Sequence, residues 1–482
     1  MKVLWVCNIM LPIIAEKLGV EGSNKEGWLS GLCDVLLERR EENGIELHVA
    51  YPVANVPEGR KFDYHKIELP RFGENAVLHA YGFCEDVANA EKYDEGLEER
   101  LAGIIEKVQP DVIHCFGTEF AHTLAVARCC EQPEKLLVGI QGICHEIAKA
   151  YMADLPEDIQ NKVTFRDWLK KDSIRQQQQK FVLRGEREQE ILRLVGNITG
   201  RTDFDREYSR KINPNACYFT MNETLRANFY EGQWKKENCE PHTIFISQGD
   251  YPLKGLHYLL MAAGRLQEQY TDLKIKIAGN SLVNYKTLKD KLKISAYGSY
   301  LRSLIKEYHL ENKVHFLGKL TAEQMKEQYL SSGLFVCCSS NENSPNSLGE
   351  AMLLGVPCIA ADVGGISTIF TGGKDGILYK GFCLNNGTEE NNKCYSKTIL
   401  KDEGLGFGNT DGEKQEKSTR TSGLQRNVEN LQKAIEEMWD NPEATLGYCQ
   451  NARKHARKTH DKEENYQKMT EIYAKIASGG NR

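Results

Sequence analysis

Short, continuously apolar runs alternate with longer amphipathic ones along nearly the whole chain, and the alternation is played through twice. In the first half "KVLWVCN", "ELHVAYPV", "DVIHCFG", "LLVGIQG", "NITGRT" and "CYFTM" read as strands, while "GWLSGLCDVLLERREENG" and "LEERLAGIIEKVQ" carry apolar residues at helical spacing. In the second half "TIFISQG", "KIKIAG", "KVHFLG", "GLFVCCSS" and "PCIAADV" read as strands, separated by helical stretches such as "LHYLLMAAGRLQEQY" and "TAEQMKEQYLSS". Strands that are apolar on both faces belong in parallel sheets covered by helices on both sides. Two such series predict an α/β chain of two Rossmann-like domains facing each other across a cleft. In open parallel sheets ligands bind beyond the carboxyl ends of the strands, so the cleft is the expected site.

The polar, breaker-containing segment "EGQWKKENCEPH" (231–242) places the join between domains. This gives a first domain over 1–235, a second over 236–452 and a closing helix within 453–482. In that helix Tyr466, Met469, Tyr473 and Ile476 fall on one face that must meet a core. Residues 381–422 are polar, glycine-rich and without period, and read as a surface insertion.

Composition narrows the function classes. With 40% hydrophobic and 27% charged residues the chain is globular, and its net charge of −6 gives no reason to expect nucleic acid. The 15 cysteines are scattered with no Cys-x-x-Cys, which points to small apolar packing residues in a reducing compartment. The opening "MKVLWVCNIMLPIIAEKLG" is broken by Asn8 and Pro12 and reads as a first strand in preference to a leader. A cytoplasmic protein is expected. No Gly-x-Gly-x-x-Gly follows a strand, which disfavours a dinucleotide-dependent dehydrogenase.

The chemistry concentrates in "SSNENSPNSLGEAMLLGVPCIAADVGG", Ser339 to Gly365. Glu342 falls in a loop past a strand's carboxyl end, and Glu350 in the first turns of the following helix. Backbone N–H groups near Ser344 to Ser347 lie at that helix's amino end, where an anion is favoured. Carboxylates that accept from hydroxyls, beside an anion site, suit a phosphate-bearing polyhydroxy ligand such as a nucleotide sugar. A capped helix with an incidental acid explains the spacing alone equally well. Two neighbours add weight: Lys254-Gly255 opens a helix just beyond the strand ending at Gln248-Gly249, and Gly364-Gly365 permits close backbone approach. "DFD" at Asp203 to Asp205 reads as a helix start before it reads as a metal site. His114 is placed near the cleft, and Trp28 is open between sugar stacking and core packing. The basic stripe Arg453, Lys454, Arg457, Lys458 and His460 reads as a solvated face in preference to a lipid contact.

Together these segments resemble the family-4 retaining glycosyltransferases of the GT-B fold. The likeness rests on "ENSPNSLGEAMLLGVP", "PLKGLHYLL", "AADVGG" and "DGILY", and more loosely on "DVIHCFG" and the Gly27-Trp28 pair. It implies a nucleotide-diphosphate-sugar held mainly by the second domain and a glycan or lipid-linked glycan acceptor held by the first, with no bound metal. By that resemblance Glu342 contacts the donor sugar and Glu350 the ribose. Lys254 neutralises the diphosphate, with Ser344, Asn346 and Ser347 completing the phosphate site. Gly279 and Leu320 line the nucleoside pocket, while Gly27, Trp28 and Gln141 stand on the acceptor side. The setting implied is cell-surface polysaccharide assembly, with peripheral membrane contact. Two positions depart from the family's pattern. Gln248 stands where an arginine is usual, with Arg201 as a candidate replacement, and Gln141 stands where a histidine is usual. These departures raise the alternative of a catalytically weak GT-B protein that binds nucleotide or glycan as a scaffold or sensor.

Overall fold

The computed structural model describes residues 1–20, 27–281, 292–383 and 422–479. The first domain is an eight-stranded sheet of order β3-β4-β2-β1-β5-β6-β7-β8. Its strands are β1 (Lys2–Val6), β2 (Glu46–Val53), β3 (Phe62–Glu68), β4 (Val77–Cys84), β5 (Val112–Phe116), β6 (Leu136–Gly139), β7 (Asn197–Gly200) and β8 (Cys217–Thr220). All neighbouring pairs are parallel except β3 with β4, which run antiparallel in register from Phe62 opposite Phe83 to Glu68 opposite Val77. The β3–β4 pair was not legible from the strand patterns, because "FDYHKIE" mixes polar and aromatic positions on a half-buried edge.

The second domain is a six-stranded parallel sheet of order β11-β10-β9-β12-β13-β14. Its strands are β9 (Glu240–Ile246), β10 (Lys274–Ala278), β11 (Val314–Gly318), β12 (Ser332–Cys337), β13 (Cys358–Ala361) and β14 (Ile377–Tyr379). Strand order reverses between β1 and β5 in the first sheet and between β9 and β12 in the second. Reversals of this kind leave a crevice at the carboxyl ends of the strands.

The closing segment is two helices, Pro442–Thr459 and Lys462–Ala477. Asp461 breaks the run and caps the second helix, accepting from the backbone of Glu463 and Glu464. That helix crosses back to the first domain, where Tyr466, Met469, Ile472, Tyr473 and Ile476 join the core formed by Trp5, Trp28 and Phe116. Near the domain join, Met221 packs in the first domain's core, whereas Leu225, Phe229 and Trp234 pack in the second's.

A second crossing runs the other way. Between β6 and β7 the chain leaves the first domain, and Ala150, Tyr151, Ala153, Leu155 and Ile174 bury themselves against the second domain's core. Buried His257 links to the Ala153 carbonyl at 2.8 Å, and the Asp154 carboxylate accepts from Asn427 at 2.7 Å. Of the stretch expected as a surface insertion, residues 384–421 lie outside the described residues.

Candidate active site in the inter-domain cleft

The carboxyl ends of β9 and β12 deliver two side chains to one place. Past β9 a short 3-10 turn, Pro252–Lys254, ends at Gly255 with φ +69°. A Cβ at Gly255 would strike the Cys338 carbonyl, so the turn that aims Lys254 can be made only by glycine. Past β12, Glu342 meets Lys254 with Nζ 2.5 Å from Oε1, and Ser339 Oγ donates to the same oxygen at 2.8 Å. Burial works against the lysine's charge, but the Glu342 carboxylate more than offsets it and holds the ammonium well above its usual range. The loop carrying Glu342 is backed by Gly364 at φ +55°, whose Cβ would strike the Glu342 carbonyl, and by Gly365 N–H donating to that carbonyl at 2.9 Å.

Glu350 lies apart from that pair. It sits within the helix Asn346–Leu354, is 3% exposed, and takes a two-pronged ion pair from Arg226 at 2.7 and 2.8 Å. Burial pushes its carboxyl up to about 7, against the pull of the guanidinium. Gln248 lies beside Gly279 and donates to Asp250 at 2.9 Å. Leu320 follows β11 and packs on the second core. Ser344 is half-buried, the Ser347 carbonyl accepts from Tyr329 at 2.9 Å, and Asn346 Oδ1 is buried with no protein partner among the described residues.

From the first domain Gln141 reaches the same loop. Its carbonyl accepts from Asn343 at 3.2 Å and from Arg201 at 3.0 Å. Arg201, the candidate replacement for the cation missing at Gln248, is paired with Glu223 beside Gln141. Gly27 opens the helix Gly27–Glu38, and Trp28 is 4% exposed with its ring edge-on to Phe116, a core tryptophan. His114 is likewise a correction to its expected place. It lies beneath the closing helix with Nδ1 2.7 Å from the Tyr473 hydroxyl, because β5 is buried on both faces. "DFD" begins a helix, as expected: Thr202 and Asp205 form a capping box at its amino end, and Asp203 is paired with Arg206 at 2.8 Å.

Several participants escaped the sequence reading. Arg226 lies in "NETLRANFY", where nothing announces a pairing 124 residues away. An open cavity of about 230 Å³ also borders the cleft, lined among others by Glu91, Phe120, Tyr151, Lys180, Phe181 and Arg184. The Arg184 guanidinium lies 4.7 Å over the Phe181 ring, and its Nε donates to the Glu119 carbonyl. The Glu119 carboxylate in turn accepts from Gly142 N–H at 3.3 Å, beside Gln141, which joins this edge of the cavity to the site. Among the described residues, a group with metal-ligating geometry occurs at Glu46, His48 and His79. It lies toward the amino ends of β2 and β4, the opposite edge of the sheet from the cleft.

Residues 229–405 match the family model described as glycosyl transferases group 1. A D-inositol 3-phosphate glycosyltransferase of Corynebacterium urealyticum is 29% identical over 135 residues, 27% of this chain and 29% of that protein. An N-acetyl-alpha-D-glucosaminyl L-malate synthase of Bacillus anthracis is 40% identical over 75 residues, 16% of this chain and 19% of that protein. These matches span less than a third of the relatives' own length. Over the whole chain, sucrose-phosphate synthase from Thermosynechococcus elongatus superposes with a TM-score of 0.63 at 13% identity, covering 99% of this chain and 100% of that one. Anabaena HepE, solved with UDP-glucose, superposes with a TM-score of 0.57 at 14% identity, covering 98% and 99%. The helix expected to return to the first domain does so, and the two largely parallel sheets are those of a GT-B fold, whose residues 229–405 match the glycosyl transferases group 1 model.

Proposed function

We propose that this protein is a retaining glycosyltransferase. It moves a hexose-type residue from a nucleotide-diphosphate-sugar to a hydroxyl of a glycan or lipid-linked glycan, in cell-surface polysaccharide assembly on the cytoplasmic side. The observation that carries the reading is the Lys254–Glu342 pair at the carboxyl ends of β9 and β12. A diphosphate entering there offers Lys254 a second anion, and the freed Glu342 carboxylate is then an acceptor for donor-sugar hydroxyls. Lys254 supplies the cation for the leaving diphosphate in this reading, with no bound metal. On same-face attack the acceptor oxygen bonds to the anomeric carbon as the bond to the phosphate oxygen breaks. The acceptor's proton passes to that phosphate. The HepE structures, which carry UDP and UDP-glucose, support a donor of this class. Phe120, Tyr151 and Phe181 give the cavity faces on which a sugar ring stacks, with Arg184 beside them.

The test is transfer measured by mass shift against a panel of UDP-, GDP- and ADP-sugars, with Lys254→Ala and Glu342→Ala beside wild type. Loss of a charge-assisted contact worth about 1.5–3 kcal/mol lowers kcat/KM roughly 10- to 100-fold. Transfer undiminished in both variants rejects the assignment. Binding of a nucleoside diphosphate without turnover by the wild type favours the sensor alternative. That alternative has its own support in Gln248 and Glu350, whose side chains are engaged by Asp250 and Arg226.

A further inference from the structure

Of the large hydrophobic side chains most open to solvent, four cluster between 163 and 169: Val163 at 57% exposed, Phe165 at 56%, Trp168 at 68% and Leu169 at 65%. They lie on the segment that crosses from the first domain to the second, around the short helix Phe165–Lys170. The helix is fixed on its polar side. Thr164 and Asp167 form a capping box, and buried Asp167 accepts from Ala296 N–H of the second domain at 2.8 Å. Its apolar side is left outward, with the Phe165 and Trp168 ring centroids 6.0 Å apart. A rigid apolar cluster of this kind on a soluble surface marks a contact site.

The charges around it select the partner. Lys162, Lys170, Lys171 and Arg175 are all exposed beside the cluster. The neighbouring acids Asp167 and Asp172 share Arg166, each at 3.0 Å, and against these two carboxylates the segment 162–175 carries five cations, so it stays net positive. This basic rim stands on a chain of net charge −6. A two-fold contact between copies would set these lysines against their own counterparts, whereas an anionic lipid surface meets them with opposite charge. Tryptophan and phenylalanine among lysines is also the composition that settles at the headgroup boundary of a bilayer.

We propose that residues 162–175 dock this protein on an anionic membrane surface, with Phe165, Trp168 and Leu169 inserted among the headgroups. The basic stripe of the Pro442–Thr459 helix is not that face. Arg453 and Arg457 donate to the carbonyls of Gly232 and Tyr230, and His460 is hydrogen-bonded to that of Glu223. The docking does not depend on the transfer reaction proposed above, but it does bear on the acceptor. Asp172 lies 3.8 Å from Lys180, which lines the cavity beside the cleft, so a docked molecule holds that cavity at the lipid surface. A glycan anchored in the bilayer would be presented there.

The experiment is sedimentation of the full chain with vesicles of phosphatidylcholine alone and of phosphatidylcholine mixed with phosphatidylglycerol. Wild type is expected to sediment with the mixed vesicles and to be released by high salt. The triple variant Phe165→Ser, Trp168→Ser, Leu169→Ser loses at least about tenfold in vesicle affinity with an unchanged circular dichroism spectrum. Lys170→Glu with Lys171→Glu removes the preference for anionic lipid. Trp168→Phe keeps binding but abolishes the blue shift of tryptophan emission, since Trp5, Trp28 and Trp234 are already buried and Trp439 is packed on the second domain's core. Three results overturn the proposal. They are wild type left in the supernatant with both vesicle types, equal binding by the triple variant, or a solution dimer of wild type that the triple variant dissolves.

Discussion

Glu342 and Glu350 stand eight positions apart in the chain and meet different cations, Lys254 and Arg226. A side chain in this protein is governed less by its place in a motif than by what its backbone position buries it against. The meeting of Glu342 with Lys254 was legible, because each follows a strand and the topology sets those strand ends side by side. Trp28 and His114 show the converse, since a tryptophan or histidine on an apolar face fills core. His257 is a buried residue of the same kind, and its environment can be titrated. Nε2 faces the Ala153 carbonyl and Nδ1 the Tyr297 hydroxyl, and burial lowers its pKa from 6.5 to about 4. Between those values the unfolded chain takes up a proton that the folded chain refuses. The neutral ring's contribution to stability is therefore present above pH 6.5 and lost as pH falls toward 4. The loss reaches roughly 2 kcal/mol by pH 5. Glu188 and Glu350, raised to about 7 by burial, run the opposite way, so the informative quantity is a difference between proteins. The Tm advantage of wild type over His257→Gln should shrink from pH 7 to pH 5. An advantage that holds or grows over that range shows that the ring is already protonated in the folded state.

At the level of elements, the parallel strands declared themselves by unbroken apolar runs, and the features that tie the domains together did not. The closing helix announced its buried face through Tyr466, Met469, Tyr473 and Ile476, but the partner of that face lies hundreds of residues away. The crossing segment over 150–174 gave less. Its apolar residues are single and irregularly spaced, because they fit a surface already formed by the other domain. The antiparallel β3–β4 edge was hidden for a related reason: a half-exposed edge strand tolerates polar residues. One buried hydroxyl ties the closing helix to the strands beneath it. Tyr473 accepts from Trp5 Nε1 at 2.9 Å and is hydrogen-bonded to His114 Nδ1 at 2.7 Å, all three side chains being buried. Tyr473→Phe keeps the ring and strands both partners, a cost of about 2–4 kcal/mol. In native-state hydrogen exchange the loss should appear as faster exchange over Lys462–Ala477 and β1, with β9 and β12 unchanged. A uniform rise across both domains shows that the helix does not open as a separate unit.

On the scale of the whole molecule, the domain join, the excursion over 150–174 and the returning helix tie the two domains covalently, and a polar latch lies between them at the cleft. The loop that carries Glu342 also carries Asn343, and Asn343 belongs to both halves. Its Nδ2 donates to Asp205 at 2.9 Å and to the Gln141 carbonyl at 3.2 Å, while its Oδ1 accepts from Thr202 Oγ1 at 2.6 Å. Asp203 N–H adds a bond to Thr368 Oγ1 at 3.2 Å across the same boundary. The loops after β6 and β7 thereby hold the loop after β12 in place, and the geometry at Lys254 depends on the closed arrangement. Asn343→Asp tests this with almost no change of shape, because it sets a carboxylate where an amide now donates to Asp205. Like charges at hydrogen-bond distance repel, and relief comes by domain opening or by protonation. Small-angle scattering at pH 8 should then show a larger radius of gyration for Asn343→Asp than for wild type. Asn343→Ala, which removes the latch without adding repulsion, should lie between the two. A radius that is the same for all three proteins means that the crossing segment and the returning helix hold the cleft closed without the latch.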